Sequence, residues 1–303
     1  MRRTSTVATR LRRTWRHEML RTWGPLTPAL ALVVLLFGGA VGLALLRSLG
    51  LLAGGTGAGL SLDAYRRLLA DPEFGRSLLL TLHVAVTSTV LAVVFGIGAA
   101  LLLRRLVRGR RLATTLFQLN LPLPHVVGAV AILALLGQSG LLSRVAAQAG
   151  VIEGPASFPA LVFDPFAIGI IVQYVWKEVP FIGIVALAIL RSTGDDLEEA
   201  ARTLGASPRQ RLRHVILPLL LPGVLSAVVI VFAFTFGTFE VPLLLGRSFP
   251  AVLPVLAHQR YTDVDLAARP EAMAISVVIT VLVLVVVVAG SALARRTIRQ
   301  EAR

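Results

Sequence analysis

The sequence predicts an all-α membrane protein with about six transmembrane helices, and three observations carry that prediction. Runs of about 20 apolar residues, the length a helix needs to cross the hydrocarbon core, recur six times. Hydrophobic residues make up 56% of the 303 residues and charged residues only 15%, with a mean hydropathy of +0.80, too much apolar surface for a soluble fold to cover. The basic residues cluster in alternate connections between the runs, the pattern by which arginine orients a multi-pass protein. The net charge of +14 therefore reflects topology and contact with membrane lipid, and nucleic acid is not an expected partner. With no cysteine in the chain, disulfides, thiolate metal sites and cysteine nucleophiles are excluded.

Taken in order, residues 1–26 form a basic N-terminal segment. Its stretch from Arg2 to Trp23, with Leu11, Trp15, Met19 and Leu20 among the arginines, fits an interfacial helix and a solvated basic tail equally. The first span is expected over 27–47, longer than the core of about 7 to 15 residues of a signal peptide, and an external loop completes the segment 27–60. A core domain follows over 61–294. Ser61 to Phe74 reads as a short amphipathic surface helix, with Ser61 as N-cap and a stop near Asp71 and Pro72. Further spans are expected over 77–103, 114–137, 166–190, 215–237 and 272–294. Asn120, close to Pro122 and Pro124, predicts a bend in the third of the six. Residues 295–303 are a tail.

Arginines dominate the stretches 2–21, 104–111, 191–213 and 295–303, while the other side holds Arg47, Arg66, Arg67, Arg76, Arg144, Arg247, Arg260 and Arg269. Both termini are therefore expected in the cytoplasm, with the chain in the cell inner membrane.

The connection 191–214, RSTGDDLEEAARTLGASPRQRLRH, carries helix start and stop signals and predicts two short helices. Asp195 has Glu198 at the capping-box spacing, and Asp196, Glu198 and Glu199 suit the positive end of a helix dipole. Gly205 supplies the left-handed stop. Ser207 and Pro208 then stand as N-cap and first residue of the next helix. A turned pair of helices with Ala200, Ala201 and Leu204 as a small apolar surface suits a groove in another protein, and composition alone fits an ordinary amphipathic loop as well.

The order of residues decides between these. Glu199, Ala200, Ala201, Gly205, Ile216, Leu217 and Pro218 resemble, at the right spacings, the EAA motif of ABC importer permeases. The lead-in Asp195, Leu197 and Glu198 agrees, and Asp71, Pro72, Phe74 and Thr81 resemble the stretch before the family's first core helix. The resemblance covers about 60–294 and implies a type I permease fold in which this segment is the coupling helix docking on an ATPase. Glu199, Ala200, Ala201, Leu204, Gly205 and Pro218 would be the coupling residues, with Glu199 a polar contact and Gly205 the hinge. The implied partners are ABC ATPase subunits, a second permease with which it forms a heterodimer, an external solute-binding protein and membrane lipid. The chain itself would carry no catalytic residue, metal or cofactor, since ATP and Mg belong to the ATPase. No GxxxxGK[ST] loop or HExxH pair occurs in it.

Ionisable residues inside spans are costly and mark functional candidates. They are Lys177 and Glu178 in the stretch containing Tyr174, and Glu240 after a run with Phe232, Phe234, Phe236 and Phe239. Pro180 frees a carbonyl that a neighbour or water must satisfy. Tyr174, Lys177, Glu178, Phe236, Phe239 and Glu240 are the candidate substrate path. Aromatic faces and a carboxylate suit a cationic solute, while lipid-facing or packed phenylalanines account for the same run. His83 and His125 fit proton carriers or hydrogen-bonded packing residues. FGTFEVPLLLG is most similar to the spermidine/putrescine-type permeases, a group that also has sulfate, thiamine, iron and phosphonate relatives. The rival reading, an ion-driven secondary transporter, would need inverted repeats, and none is evident.

Overall fold

Each apolar run satisfies its own backbone hydrogen bonds, as a span in hydrocarbon must. The computed structural model describes residues 24–52 and 59–301, all helix and connection with no strand among them. The expected N-terminal interfacial helix lies outside the described residues. Six helices are long and apolar enough to cross a membrane. The first, α1 (Gly24–Ser48), lies against the last and leaves Leu32 to Phe37 exposed.

The surface helix α2 (Asp63–Ala70) is shorter than expected. Ser61 Oγ accepts from the Asp63 backbone N–H at 3.0 Å, and Asp71 ends α2 by capping the next helix, accepting from Glu73 N–H at 2.8 Å with Pro72 in the first position. That helix, α3 (Pro72–Arg105), begins ahead of the expected 77. Its 34 residues make it about 50 Å long, well beyond a hydrocarbon core of about 30 Å.

The third expected span, 114–137, is corrected. The chain forms α4 (Arg110–Gln118), breaks, and resumes as α5 (His125–Leu136) and α6 (Leu141–Gln148). Pro122 and Pro124 have no N–H to donate and disfavour helical geometry in the residues before them, so the predicted bend is a complete break. The membrane-length stretch is His125–Gln148.

α7 (Ile168–Thr203) starts where Asp164 accepts from the Phe166 and Ile168 N–H groups, both at 2.8 Å. It then runs unbroken for 36 residues. The separate helix expected to start at Asp195 is therefore absent. Continuing past 192–195 adds one bond per residue, whereas a stop would orphan the last turn's carbonyls. After a tight turn, α8 (Pro208–Gly237) follows, with α9 (Glu240–Leu245), α10 (Leu253–Thr262) and the final span α11 (Arg269–Glu301).

The spans α3, α7 and α8 pack through Ala92, Ala100, Leu103, Ile182, Ala186, Leu190, Ile216 and Leu220. Gly96 permits this: a Cβ there would stand 3.0 Å from the Ile182 side chain and the Val179 carbonyl, the close approach small residues give membrane helices. At the other end, Thr81 Oγ1 accepts from the Leu253 N–H at 2.8 Å, and Arg260 pairs with Asp71, Glu73 and Glu271, tying α10 to the starts of α3 and α11.

Candidate functional site

The segment after Glu198 folds as two capped helix ends joined by a left-handed residue. The N–H of Gly205 donates to the Arg202 carbonyl and that of Ala206 to the Ala201 carbonyl, both at 3.0 Å, the paired bonds of a Schellman stop. Gly205 has φ +83° with open space around it, so its glycine answers to backbone conformation and not to crowding. Ser207 Oγ then accepts from Gln210 N–H and Gln210 Oε1 from Ser207 N–H, a full capping box.

This turn presents its apolar and acidic residues outward. Leu204 is 88% exposed, Ala200, Gly205 and Pro218 are exposed, and Ala201 is half-buried. Glu199 is exposed and pairs with Arg202 one turn along. Glu198, its neighbour, turns inward to Arg104 Nη1 at 2.8 Å and Arg211 Nη1 at 3.3 Å.

Halfway along the same helix, Lys177 and Asn120 stitch α7 to the break between α4 and α5. Pro180 sits inside α7 and cannot donate to the Trp176 carbonyl one turn back. The Asn120 amide donates to that carbonyl instead. In return the Lys177 ammonium donates to the carbonyls of Asn120, Leu121 and Leu123; the first also accepts from the Leu123 N–H at 3.2 Å, while the other two lie in the break between the helices, where the prolines supply no donor. Lys177 is 5% exposed, and its three donors are all engaged.

Glu178 points elsewhere. His125 Nε2 lies 3.4 Å from its Oε1, and the His125 ring lies 4.6 Å from that of Phe234, joining α5, α7 and α8. Tyr174, one turn before Glu178, is fully buried. His83 meets the Phe166 carbonyl at 3.2 Å.

The six candidate path residues are thus not one surface. Phe236 is 1% exposed, stacked on Phe232 and packed with Leu253, Leu256 and Ile275. It lies in the core, on the face of α8 turned towards α10 and α11. Phe239 packs against His258, with ring centroids 4.7 Å apart. Glu240, at the start of α9, is exposed, and Phe234 at 39% is the accessible aromatic of the run.

Arg104, Arg211 and Asp164 were missed by sequence reasoning. Asp164 had a readable signal, an Asx residue shortly before an apolar run. The two arginines had none: 94 positions separate Arg104 from Glu198, and Arg211, 13 positions on, lies across the turn in the next helix.

Residues 92–299 match the family described as the binding-protein-dependent transport system inner membrane component. The molybdenum transport system permease protein ModB of Mycobacterium tuberculosis is 37% identical over 206 residues, covering 66% of this chain and 74% of that protein. The spermidine/putrescine transport system permease protein PotB of Escherichia coli is 30% identical over 190 residues, covering 62% of this chain and 66% of that protein. Among solved structures, a chain of a bacterial ABC transporter involved in the import of the acidic polysaccharide alginate superposes with a TM-score of 0.75 at 21% identity, over 94% of this chain and 99% of that one.

Proposed function

The chain belongs to the binding-protein-dependent transport system inner membrane components, and from that premise we propose that the turn around Gly205 is where a partner ATPase drives it. The protein is a multi-pass permease subunit of an ABC importer and not itself an enzyme. An ion-driven transporter has no support from this membership. The observation that carries the coupling reading is the outward Leu204, 88% exposed, on a Schellman turn braced by a capping box. An apolar side chain presented on a rigid, polar-flanked turn suits a cleft in another protein.

In this reading Glu199, Ala200, Ala201, Leu204, Gly205 and Pro218 meet the ATPase, which holds the ATP and Mg. A second permease, different from this chain, completes the membrane path, and an external binding protein delivers the solute. Closing of the ATPases shifts the paired spans between two states. Both termini lie in the cytoplasm. That orientation is supported by the arginines at 104–111 and 191–213 meeting at one end of α3, while Arg67 and Arg260 at the other end are matched by Glu271, Asp71 and Glu73. Purification in mild detergent with its native partners tests the reading. An ABC ATPase that leaves with Gly205→Asp supports it, and a native chain that purifies with no ATPase sinks it.

For the solute, exposed Glu240, next to Phe239 in the chain, together with the accessible Phe234 supports a cationic polyamine. The identity to a molybdenum permease favours a second reading, a small oxyanion. ATP hydrolysis by the purified complex with its binding protein, with putrescine and with molybdate, separates the two by which one stimulates it.

A further inference from the structure

Glu198 sits beside the docking surface but has no part in it. Residues adjacent on a helix point about 100° apart, so Glu199 faces outward with its side chain 67% exposed while that of Glu198 is 23% exposed. The Glu198 carboxylate divides its oxygens between two elements: Oε2 takes Arg104 on the last turn of α3 at 2.8 Å, and Oε1 takes Arg211 at the start of α8 at 3.3 Å. Both guanidinium groups are themselves largely covered, with side chains 17% and 20% exposed, so salt screens the pairs less than it does exposed ones. Among the described residues the Nε of Arg211 is buried with no hydrogen-bond partner, and its Nη1 is the atom that meets Glu198.

We propose that Glu198, Arg104 and Arg211 form a latch that makes the coupling turn and the ends of α3, α7 and α8 move as one body, with Glu198 a positioning residue for energy transfer. The inference rests on the coupling reading above and deepens it. The turn is continuous in the chain with α7 and α8, and the cluster of Leu103, Leu190, Ile216 and Leu220 behind the triad packs those two helices on α3. The triad adds charge-assisted bonds to α3 beside the turn. Displacing the turn then drags α3 with it, where without the latch the ends of α7 and α8 can shift and leave α3 behind.

The test uses the whole complex, and the absence of cysteine from this chain makes it clean. Phe95 on α3 is 54% exposed and lines a hollow with Trp176 and Asn120; Phe95→Cys in this chain reports on α3 through its rate of maleimide labelling, read on this subunit alone, with and without MgATP and vanadate. With the latch intact the nucleotide changes that rate. In Glu198→Gln the ATPase still co-purifies and still hydrolyses ATP, but the nucleotide-driven change shrinks by about five-fold or more. Arg104→Gln, far from the docking turn in sequence, and Arg211→Gln each reproduce the loss. A Glu198→Gln complex with the native labelling response overturns the latch, as does loss of ATPase from that complex, which would make Glu198 a docking residue. Failure of the coupling reading looks different: the native complex itself would show no nucleotide response.

Discussion

The middle and the end of α7 are built from the same residue types and do opposite things. Around Lys177 side chains turn inward onto freed backbone: the ammonium on three carbonyls, the Asn120 amide on the carbonyl that Pro180 abandons, while Asn120 Oδ1 and Gln173 Oε1 stay buried without a partner. Around Gly205 the backbone is just as fully satisfied, yet Leu204 and Glu199 are left facing out. In hydrocarbon an unmatched polar group has no water to fall back on, so the middle must close on itself. At an aqueous end the side chains are free to wait for a partner. A charged residue in a span therefore need not mark a transport path, and the uncovered leucine on its braced turn is the observation on which the proposed docking face rests.

Four substitutions sharpen or break that contrast. Lys177→Met has the largest effect. It leaves the Leu121 and Leu123 carbonyls unmatched at about 1–3 kcal/mol each and the Asn120 carbonyl with the Leu123 N–H alone, so the melting temperature in detergent is expected to fall sharply and little folded protein to be recovered. Native-like stability would mean the stitch is decorative. Asn120→Leu loses one bond, about 1–2 kcal/mol, and its melting temperature drops by a few degrees; adding Pro180→Ala, which returns an N–H to the Trp176 carbonyl, recovers part of the drop. If the double variant is worse than the single, the carbonyl is not what Asn120 serves. Gly205→Asp costs about 1 kcal/mol of backbone strain with no clash, so membrane level and melting hold while the co-purifying ATPase is lost. Arg202→Ala is the smallest: it removes an exposed pair with Glu199, 64% and 67% exposed, and melting shifts within error, as surface pairs contribute about 0–1 kcal/mol.

Much of the coupling end was legible in the chain because its signals are local. Gly205, Ser207, Pro208 and Gln210 lie within six positions, and the stop, the cap and the capping box follow from short-range geometry. The same local logic erred at Asp195, where strong start signals lay inside a helix already running and propagation prevailed. It erred again at 114–137, where apolar length outweighed two prolines in the reading but not in the fold. The burial of Phe236 was not legible, because a helix of nearly uniform hydrophobicity does not tell which face meets protein and which meets lipid.

The sequence by itself determined the six spans, the uneven arginines and the turn at Gly205, since each depends on composition or on residues a few positions apart. Only the tertiary structure decided that Lys177 closes a broken span, that Glu198 and Glu199 part company, and that Arg104 and Arg211 meet between them. Those contacts join residues that are distant along the chain, and the helix packing that brings them together depends on which faces fit, a property no single segment carries.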